Sequence, residues 1–234
     1  MTATALGYAF LGGLLPSLIW LHFLLKEDAR CPEPKKYITF AFIAGMIAVP
    51  LALFPERYAQ ANIPDSSSML LAWALIEELL KYIMAAAFIL WRRQVDEAPD
   101  YVVYMITVAL GFAAAENMLF LLDPLIKQLH ITALITGNLR FLGSTLVHVV
   151  SSAALGLTFA FSANFDRPVR TLAAATGLIL AVALHTSFNT LIIKQGTSSA
   201  LQAFFLVWVS AVGVLAAFEV LKYFKYRNLP TNTC

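Results

Sequence analysis

Three charged residues lie within about one helical turn of each other in an apolar segment that is long enough to cross a membrane. Glu77, Glu78 and Lys81 interrupt the run from Met69 to Trp91. Each such charge costs about 2.5–3.5 kcal/mol at the centre of a membrane helix, so its retention indicates a function. Glu77 and Lys81 are four residues apart and share a helix face, so we expect them to form an ion pair. Glu78 is rotated away by about 100° and needs another partner.

Three further apolar segments carry polar groups at helical spacing. They contain Glu116-Asn117 after a run of small residues, then Arg140, Ser144 and His148, and finally His185 and Asn189. Counted at about 1.5 Å per residue from the predicted outer helix ends, the acidic and histidine positions all lie about 9–15 Å deep. A common depth in the outer half of the bilayer is what one buried site requires.

These residue types suit the activation of water. A glutamate can act as a general base, a histidine can share the proton or bind a metal, and a histidine with an asparagine can donate to a developing oxyanion. The chain has no Gly-x-Ser-x-Gly motif, and Ser144 and His148 on one helix are awkwardly placed for a serine–histidine mechanism. For each residue alone, packing is the alternative: Glu116 could simply pair with Arg140, and Asn117 could bond to a neighbouring helix.

The composition is that of a polytopic membrane protein. Of the 234 residues, 60% are hydrophobic and 13% are charged, against about 25% charged in soluble domains. The formal net charge of +2 and the lack of basic clusters with interleaved aromatic residues argue against a nucleic-acid partner. Because the polar loops are short, we expect residues 1–234 to form a single integral domain in the cell membrane, with the motif-bearing helices at about 67–192.

Seven apolar segments of about 20 residues predict an all-α transmembrane bundle. They cover residues 5–25, 37–54, 67–91, 101–122, 139–163, 171–192 and 199–222. Between the fourth and fifth, the segment Leu125–Gly137 is only moderately apolar. It predicts a short interfacial helix near the outer face, with His130 on the surface.

The distribution of lysine and arginine predicts the orientation of the bundle. Eleven lie in or beside the loops of one side: Lys26, Arg30, Lys35, Lys36, Arg92, Arg93, Arg167, Arg170, Lys222, Lys225 and Arg227. Three lie on the opposite side: Arg57, Lys127 and Lys194. Since basic residues concentrate in cytoplasmic loops, we expect the N-terminus outside and the C-terminus in the cytoplasm.

Together, the motifs resemble the PrsW family of intramembrane proteases, which is related to the CAAX prenyl endopeptidases and the bacteriocin-protection proteins. The resemblance rests on Glu77-Glu78-x-x-Lys81, Gly111-Phe112-x-x-x-Glu116-Asn117, Arg140 with His148, and His185-x-x-Phe188-Asn189. It implies a membrane peptidase whose glutamates and histidines activate water. The substrate it implies is a single-pass membrane protein, such as an anti-sigma factor, cleaved near its extracytoplasmic side.

The resemblance also implies roles for individual residues. Glu78 or Glu77 would be the general base, His148 its proton partner or a metal ligand, and His185 with Asn189 the oxyanion site. Glu116 matches the family's second acidic motif, and the supporting residues would be Lys81, Asn117 and Arg140. One divalent metal such as Zn²⁺, with His148 and His185 as candidate ligands, is compatible with this set. The sequence does not require it, and we expect the metal not to be obligatory.

Two other functions stay open on sequence grounds. Chains of Glu, His and Lys within the membrane also occur in proton- or cation-coupled transporters, although the inverted repeat common in transporters is not evident in the sequence. A non-catalytic assembly subunit could retain the polar residues for packing alone. A transporter would show ion flux in liposomes, whereas a protease would cleave a single-pass helix in detergent.

Overall fold

The computed structural model describes residues 3–193 and 197–227, and these form a bundle of eight α-helices. The helices are α1 (Ala3–Glu27), α2 (Lys35–Asn62), α3 (Ser66–Ala85), α4 (Ala98–Ile126), α5 (His130–Leu139), α6 (Thr145–Ser162), α7 (Arg167–Ile193) and α8 (Thr197–Tyr226). A π-helical segment, Ala86–Leu90, extends α3, and a second one, Arg140–Ser144, joins α5 to α6. No strand occurs in the described ranges, so the predicted all-α architecture is confirmed.

Six helical segments are long and apolar enough to cross a membrane. They are Ala3–Glu27, Lys35–Asn62, Ala98–Ile126, His130–Ser162, Arg167–Ile193 and Ser198–Tyr226. The remaining predicted span corresponds to α3 and its π-helical extension, which is of similar length but contains Glu77, Glu78 and Lys81. The chain is therefore a multi-pass membrane protein. Of the residues counted for its orientation, Lys194 lies outside the described ranges.

The region between the fourth and fifth spans differs from the prediction. The short helix expected over Leu125–Gly137 begins later than predicted, because α4 continues to Ile126 and α5 covers His130–Leu139. From there α5 runs through the π-helical segment into α6, making one helical segment, His130–Ser162. No proline interrupts residues 130–162, so the helical hydrogen bonding can continue from α5 into α6. His130 is exposed, as expected.

Helix α4 forms the core of the bundle and packs mainly against α6, α1 and α2. Its buried residues lie around the whole helix. Two glycines allow the close approach of α2: Gly111 of α4 abuts the Phe42 carbonyl, and Gly45 of α2 abuts the Val108 carbonyl. A Cβ atom at either glycine would overlap backbone atoms of the other helix. This reciprocal contact holds the second half of α4, which carries Glu116, against α2.

The polar residues of the motifs face inwards, whereas large apolar side chains cover the outside. Leu172, Ile179 and Phe205 are 68%, 69% and 72% exposed, as expected for side chains that contact lipid. The buried polar set includes Glu77, Glu78, Lys81, Asn117, His148 and His185. Helices α3, α4, α6 and α7 therefore enclose a polar interior.

Candidate active site

Helix α3 carries three charged side chains into the interior. Its N-cap is Asp65, whose carboxylate accepts a hydrogen bond from the Ser68 amide at 2.7 Å. Further along the helix, Glu77, Glu78 and Lys81 are only 6%, 1% and 0% exposed. Buried charges are tolerated only where they find partners, so the contacts of each residue define what it can do.

Lys81 pairs with Glu78, so the predicted pair between Glu77 and Lys81 is wrong. The Nζ atom of Lys81 lies 2.7 Å from Oε1 of Glu78 and 2.8 Å from Nδ1 of His148. It also lies 4.6 Å from the centre of the Phe112 ring. Spacings of three and four residues both place side chains on one helix face. The neighbouring helices decide between them, because His148 of α6 lies beside Lys81.

His148 connects the charges of α3 to those of α4. An ammonium group can only donate hydrogen bonds, so Nδ1 of His148 accepts from Lys81 and the ring proton is on Nε2. Nε2 then donates to Oε2 of Glu116 at 2.9 Å. The tautomer follows from these two partners. Lys81 and Glu116 therefore fix both the position and the orientation of the imidazole.

His185 of α7 contacts the two glutamates of α3 from another direction. Its Nδ1 is 2.8 Å from Oε1 of Glu78, and because a carboxylate accepts, Nδ1 donates. Nε2 of His185 is left with a lone pair and lies 3.8 Å from Oε2 of Glu77. The two imidazole rings meet edge to face, with centroids 4.9 Å apart.

Glu77 differs from Glu78 because one of its carboxylate oxygens is unsatisfied. Oε2 of Glu77 is buried and has no hydrogen-bond partner in the described part of the chain. It lies 3.9 Å from Nδ1 of His148 and 3.8 Å from Nε2 of His185. One ligand atom from each residue can be chosen so that all three lie within 4.8 Å of one another. Two imidazole nitrogens and a carboxylate oxygen are a common donor set in catalytic zinc sites, so the three residues fit a divalent cation.

Arg140 compensates the charge of Glu116. Its guanidinium group donates to Oε2 of Glu116 and, through Nε, to Oδ1 of Asn117 at 2.5 Å. Asn117 donates in turn to the Thr145 hydroxyl at 3.0 Å. Arg140 opens the second π-helical segment, and such segments are frequent at functional sites. The pairing of Glu116 with Arg140, considered above as a packing contact, therefore also holds the carboxylate that orients His148.

A cavity of about 680 Å³ lies beside this network. Its wall includes six candidate residues, namely Glu77, Glu116, Arg140, His148, His185 and Asn189. Two charged residues of the network, Glu78 and Lys81, are absent from the described part of the cavity wall. The cavity continues past Asp123 and Ile193, at the ends of α4 and α7 that we predict to face the extracytoplasmic side.

The structure brings the sequence-derived candidates together. Glu77, Glu78, Glu116, His148 and His185 form one cluster, and Asn189 lies on the cavity wall one turn from His185. Sequence reasoning missed two residues. Ser152 donates to Oε2 of Glu78 at 3.4 Å, and its position one turn after His148 continues the polar series on that helix, so the spacing could have revealed it. Glu56 lines the cavity, but it follows the end of the predicted second span.

A helical membrane bundle with a buried glutamate–histidine centre beside a cavity is equipped to hydrolyse a bond within the membrane. The profile of the family described as "PrsW family intramembrane metalloprotease" matches residues 33–217. Because this match covers most of the chain, the chain belongs to the PrsW family. The predicted family is thus confirmed, and its description names an intramembrane metalloprotease.

Individual relatives agree with this assignment. Protease PrsW of Geobacillus kaustophilus is 31% identical over 113 residues, which are 47% of this chain and 50% of the relative. Protease PrsW of Clostridioides difficile is 24% identical over 195 residues, 80% of this chain and 79% of the relative. Protease PrsW of Bacillus subtilis is 26% identical over 126 residues, 53% of this chain and 58% of the relative. The chain thus spans about half the length of the first and third of these relatives. No solved structure matches.

Proposed function

We propose that this protein cleaves single-pass membrane proteins near their extracytoplasmic side, using water activated between Glu77, His148 and His185. The observation that carries the proposal is the unsatisfied Oε2 of Glu77, which is buried close to a nitrogen of each histidine. Leaving such an oxygen unpaired costs stability. This cost is expected at a site that is kept ready for a cation, water or substrate.

Glu77, rather than Glu78, is the catalytic carboxylate in this proposal. Lys81, His185 and Ser152 engage Glu78, which is therefore a positioning residue. Glu77 lies on the cavity wall. In the hydrolysis, the water oxygen bonds to the scissile carbonyl carbon and a water proton passes to Glu77. Glu77 then returns this proton to the amine as the carbon–nitrogen bond breaks.

Glu77, His148 and His185 are also the residues that would hold a divalent cation such as Zn²⁺. When bound, the cation would supply Lewis acidity that polarises the peptide carbonyl. The chain orients both imidazoles for this purpose, because Glu116 accepts from His148 and Glu78 accepts from His185. A carboxylate behind each histidine is typical of metal ligands. In the structure, Lys81 contacts Nδ1 of His148. To bind a cation, this nitrogen must first lose its contact with Lys81, which would then contact only Glu78.

In this proposal, Asn189 donates a hydrogen bond to the oxyanion of the transition state. It lies on the cavity wall, four residues after His185. The resemblance implied that His185 shares this role, but in a neutral ring whose Nδ1 donates to Glu78, Nε2 carries no proton. His185 is therefore better suited to accept a proton or bind a cation, and the donor on this side is the Asn189 amide.

The direct test uses purified protein in liposomes with a single-pass reporter helix, and product termini are mapped by mass spectrometry. Glu77→Gln and His185→Ala should each lower the rate by about 100-fold or more. The matched control is Glu219→Gln, which alters an exposed acid of α8 that pairs with Lys222 and should leave the rate unchanged. Cleavage that survives Glu77→Gln would contradict the proposed chemistry.

Natural substrates can be sought in cells that carry the wild-type or the Glu77→Gln protein at equal levels. We expect one or a few single-pass proteins to accumulate in intact form only with the variant, and their truncated products to disappear. Product termini on the cytoplasmic side would contradict the proposed location. Ion flux in liposomes without any cleavage would favour the transporter instead.

A further inference from the structure

Glu56 of α2 is a charged residue of the cavity wall that the proposed mechanism does not use. Its side chain is half-buried and lines the cavity. Within residues 3–193 and 197–227, no ion pair engages its carboxylate. The backbone at this position is held in place, because the indole Nε1 of Trp73 donates to the Glu56 carbonyl at 3.1 Å. Glu56 is therefore an uncompensated carboxylate in a defined position.

The other charges of the wall mostly have partners. Glu116 is paired with Arg140, and Asp123 is paired with Lys127 at 2.9 Å. Arg140 is the only lysine or arginine in the described wall, and Glu116 and Asn117 already engage it. The wall therefore has two carboxylates without a basic partner, Glu77 at the centre and Glu56. If Glu77 takes a cation or a water proton, Glu56 remains available to the substrate.

The depth of Glu56 relative to Glu77 can be estimated from positions along α3. Trp73, which contacts Glu56, precedes Glu77 by four residues, so it lies about one turn, or about 6 Å, nearer the predicted outer end. An extended peptide advances about 3.3 Å per residue. A substrate side chain beside Glu56 would thus belong to a residue about two positions from the scissile bond, on its extracytoplasmic side.

We propose that Glu56 selects substrates with a lysine or arginine one to three residues to the extracytoplasmic side of the scissile bond. This inference rests on the proposed function. A carboxylate in a half-buried wall attracts a cation more strongly than one in bulk water, because the effective dielectric constant is lower. The same carboxylate repels a substrate that carries an acidic residue at this position, so it both favours one class of substrate and rejects another.

The test uses the liposome assay with a panel of single-pass reporters that carry Lys, Gln or Glu at each of the three positions. At the responsive position, the wild-type protein should cleave the Lys reporter with a kcat/KM about tenfold above that of the Gln reporter, mainly through a lower KM. Glu56→Gln should reduce this ratio to near one. Glu56→Lys should reverse the preference in favour of the Glu reporter, which also shows that the variant is folded.

The control and the contrary outcomes separate this inference from the proposed function. Glu219→Gln should keep the wild-type ratio. If Glu77→Gln abolishes cleavage but the wild-type protein cleaves the Lys, Gln and Glu reporters equally well, the inference is wrong and the proposed function stands. The same holds if Glu56→Gln retains the preference for the Lys reporter. If no reporter is cleaved in a manner that requires Glu77, both are wrong.

Discussion

Replacing Lys81 by methionine tests the ion pair at the centre of the site. The Lys81 side chain is fully buried, and its ammonium contacts Oε1 of Glu78 at 2.7 Å and Nδ1 of His148 at 2.8 Å. Methionine retains much of the volume and the apolar stem but removes the charge and the hydrogen-bond donor. The variant therefore leaves the carboxylate of Glu78 buried without its cation, while Ser152 and His185 still donate to it.

The expected loss of stability is large. Removing one partner of a buried ion pair costs about 3–5 kcal/mol, mainly because the other charge stays buried. For a chain of this length, 1 kcal/mol shifts Tm by about 2–4 °C, so Lys81→Met should lower Tm by about 6–20 °C. The double variant Lys81→Met/Glu78→Gln removes both charges. It should recover about 2 kcal/mol or more of the loss, and together with the Glu78→Gln single variant it gives the coupling between the two residues.

Thermal unfolding of the purified variants in one detergent gives these values. The matched control is Lys127→Met, which breaks an exposed ion pair with Asp123. The side chains of Lys127 and Asp123 are 60% and 70% exposed. An exposed pair of this kind contributes at most about 1 kcal/mol. The assignment of Glu78 as the partner is refuted if Lys81→Met is as stable as Lys127→Met, or if the double variant is no more stable than the single one.

Three further predictions concern packing, pH and metal. Gly111→Ala should destabilise the protein by about 1–3 kcal/mol or prevent folding, because the new Cβ atom would overlap the Phe42 carbonyl. The control Gly213→Ala has open space around the new Cβ atom and should unfold like the wild-type protein in the same assay. Burial, with Asp100 nearby, raises the pKa of Asp28 from 3.8 to about 7. The protonated folded form therefore contributes stability that is complete below about pH 4 and is lost as the pH rises to about 7, up to about 4 kcal/mol in total. Asp28→Asn should raise Tm relative to wild type more at pH 8 than at pH 5, and an equal shift at both would refute this. Because the metal is not expected to be obligatory, cleavage with Glu77 as the general base should survive complete removal of metal by a chelator. Loss of cleavage on chelation, its return with Zn²⁺ and a lower zinc content of Glu77→Gln by elemental analysis would show instead that Glu77 is a metal ligand.

Much of the fold could be predicted because hydropathy and helix length are properties of contiguous sequence. A segment of about 20 apolar residues has few alternatives to a membrane helix, since every backbone group must be satisfied within the segment. The region from Leu125 to Gly137 was less predictable, because moderate hydropathy suits both an interfacial helix and the extension of a span. Its course depended on the absence of a break between α5 and α6.

The candidate residues were predictable for a related reason. A charged or histidine side chain in a membrane span is costly, so the few that occur mark the interior of the bundle. Spacing then showed which of them share a helix face. Glu56 escaped this reasoning, because a glutamate near a helix end is cheap and resembles any surface residue.

By itself, the sequence determined the class of architecture, the family resemblance and the set of residues from which a site could be built. Only the tertiary structure decided which of these residues contact each other. The spacing along α3 allowed Lys81 to pair with Glu77 or Glu78, and the position of His148 and His185 on other helices selected Glu78. The same packing left Glu77 facing the cavity. The physical reason is that helical periodicity relates side chains within one helix, whereas the rotation of each helix against its neighbours depends on contacts between residues far apart in the chain.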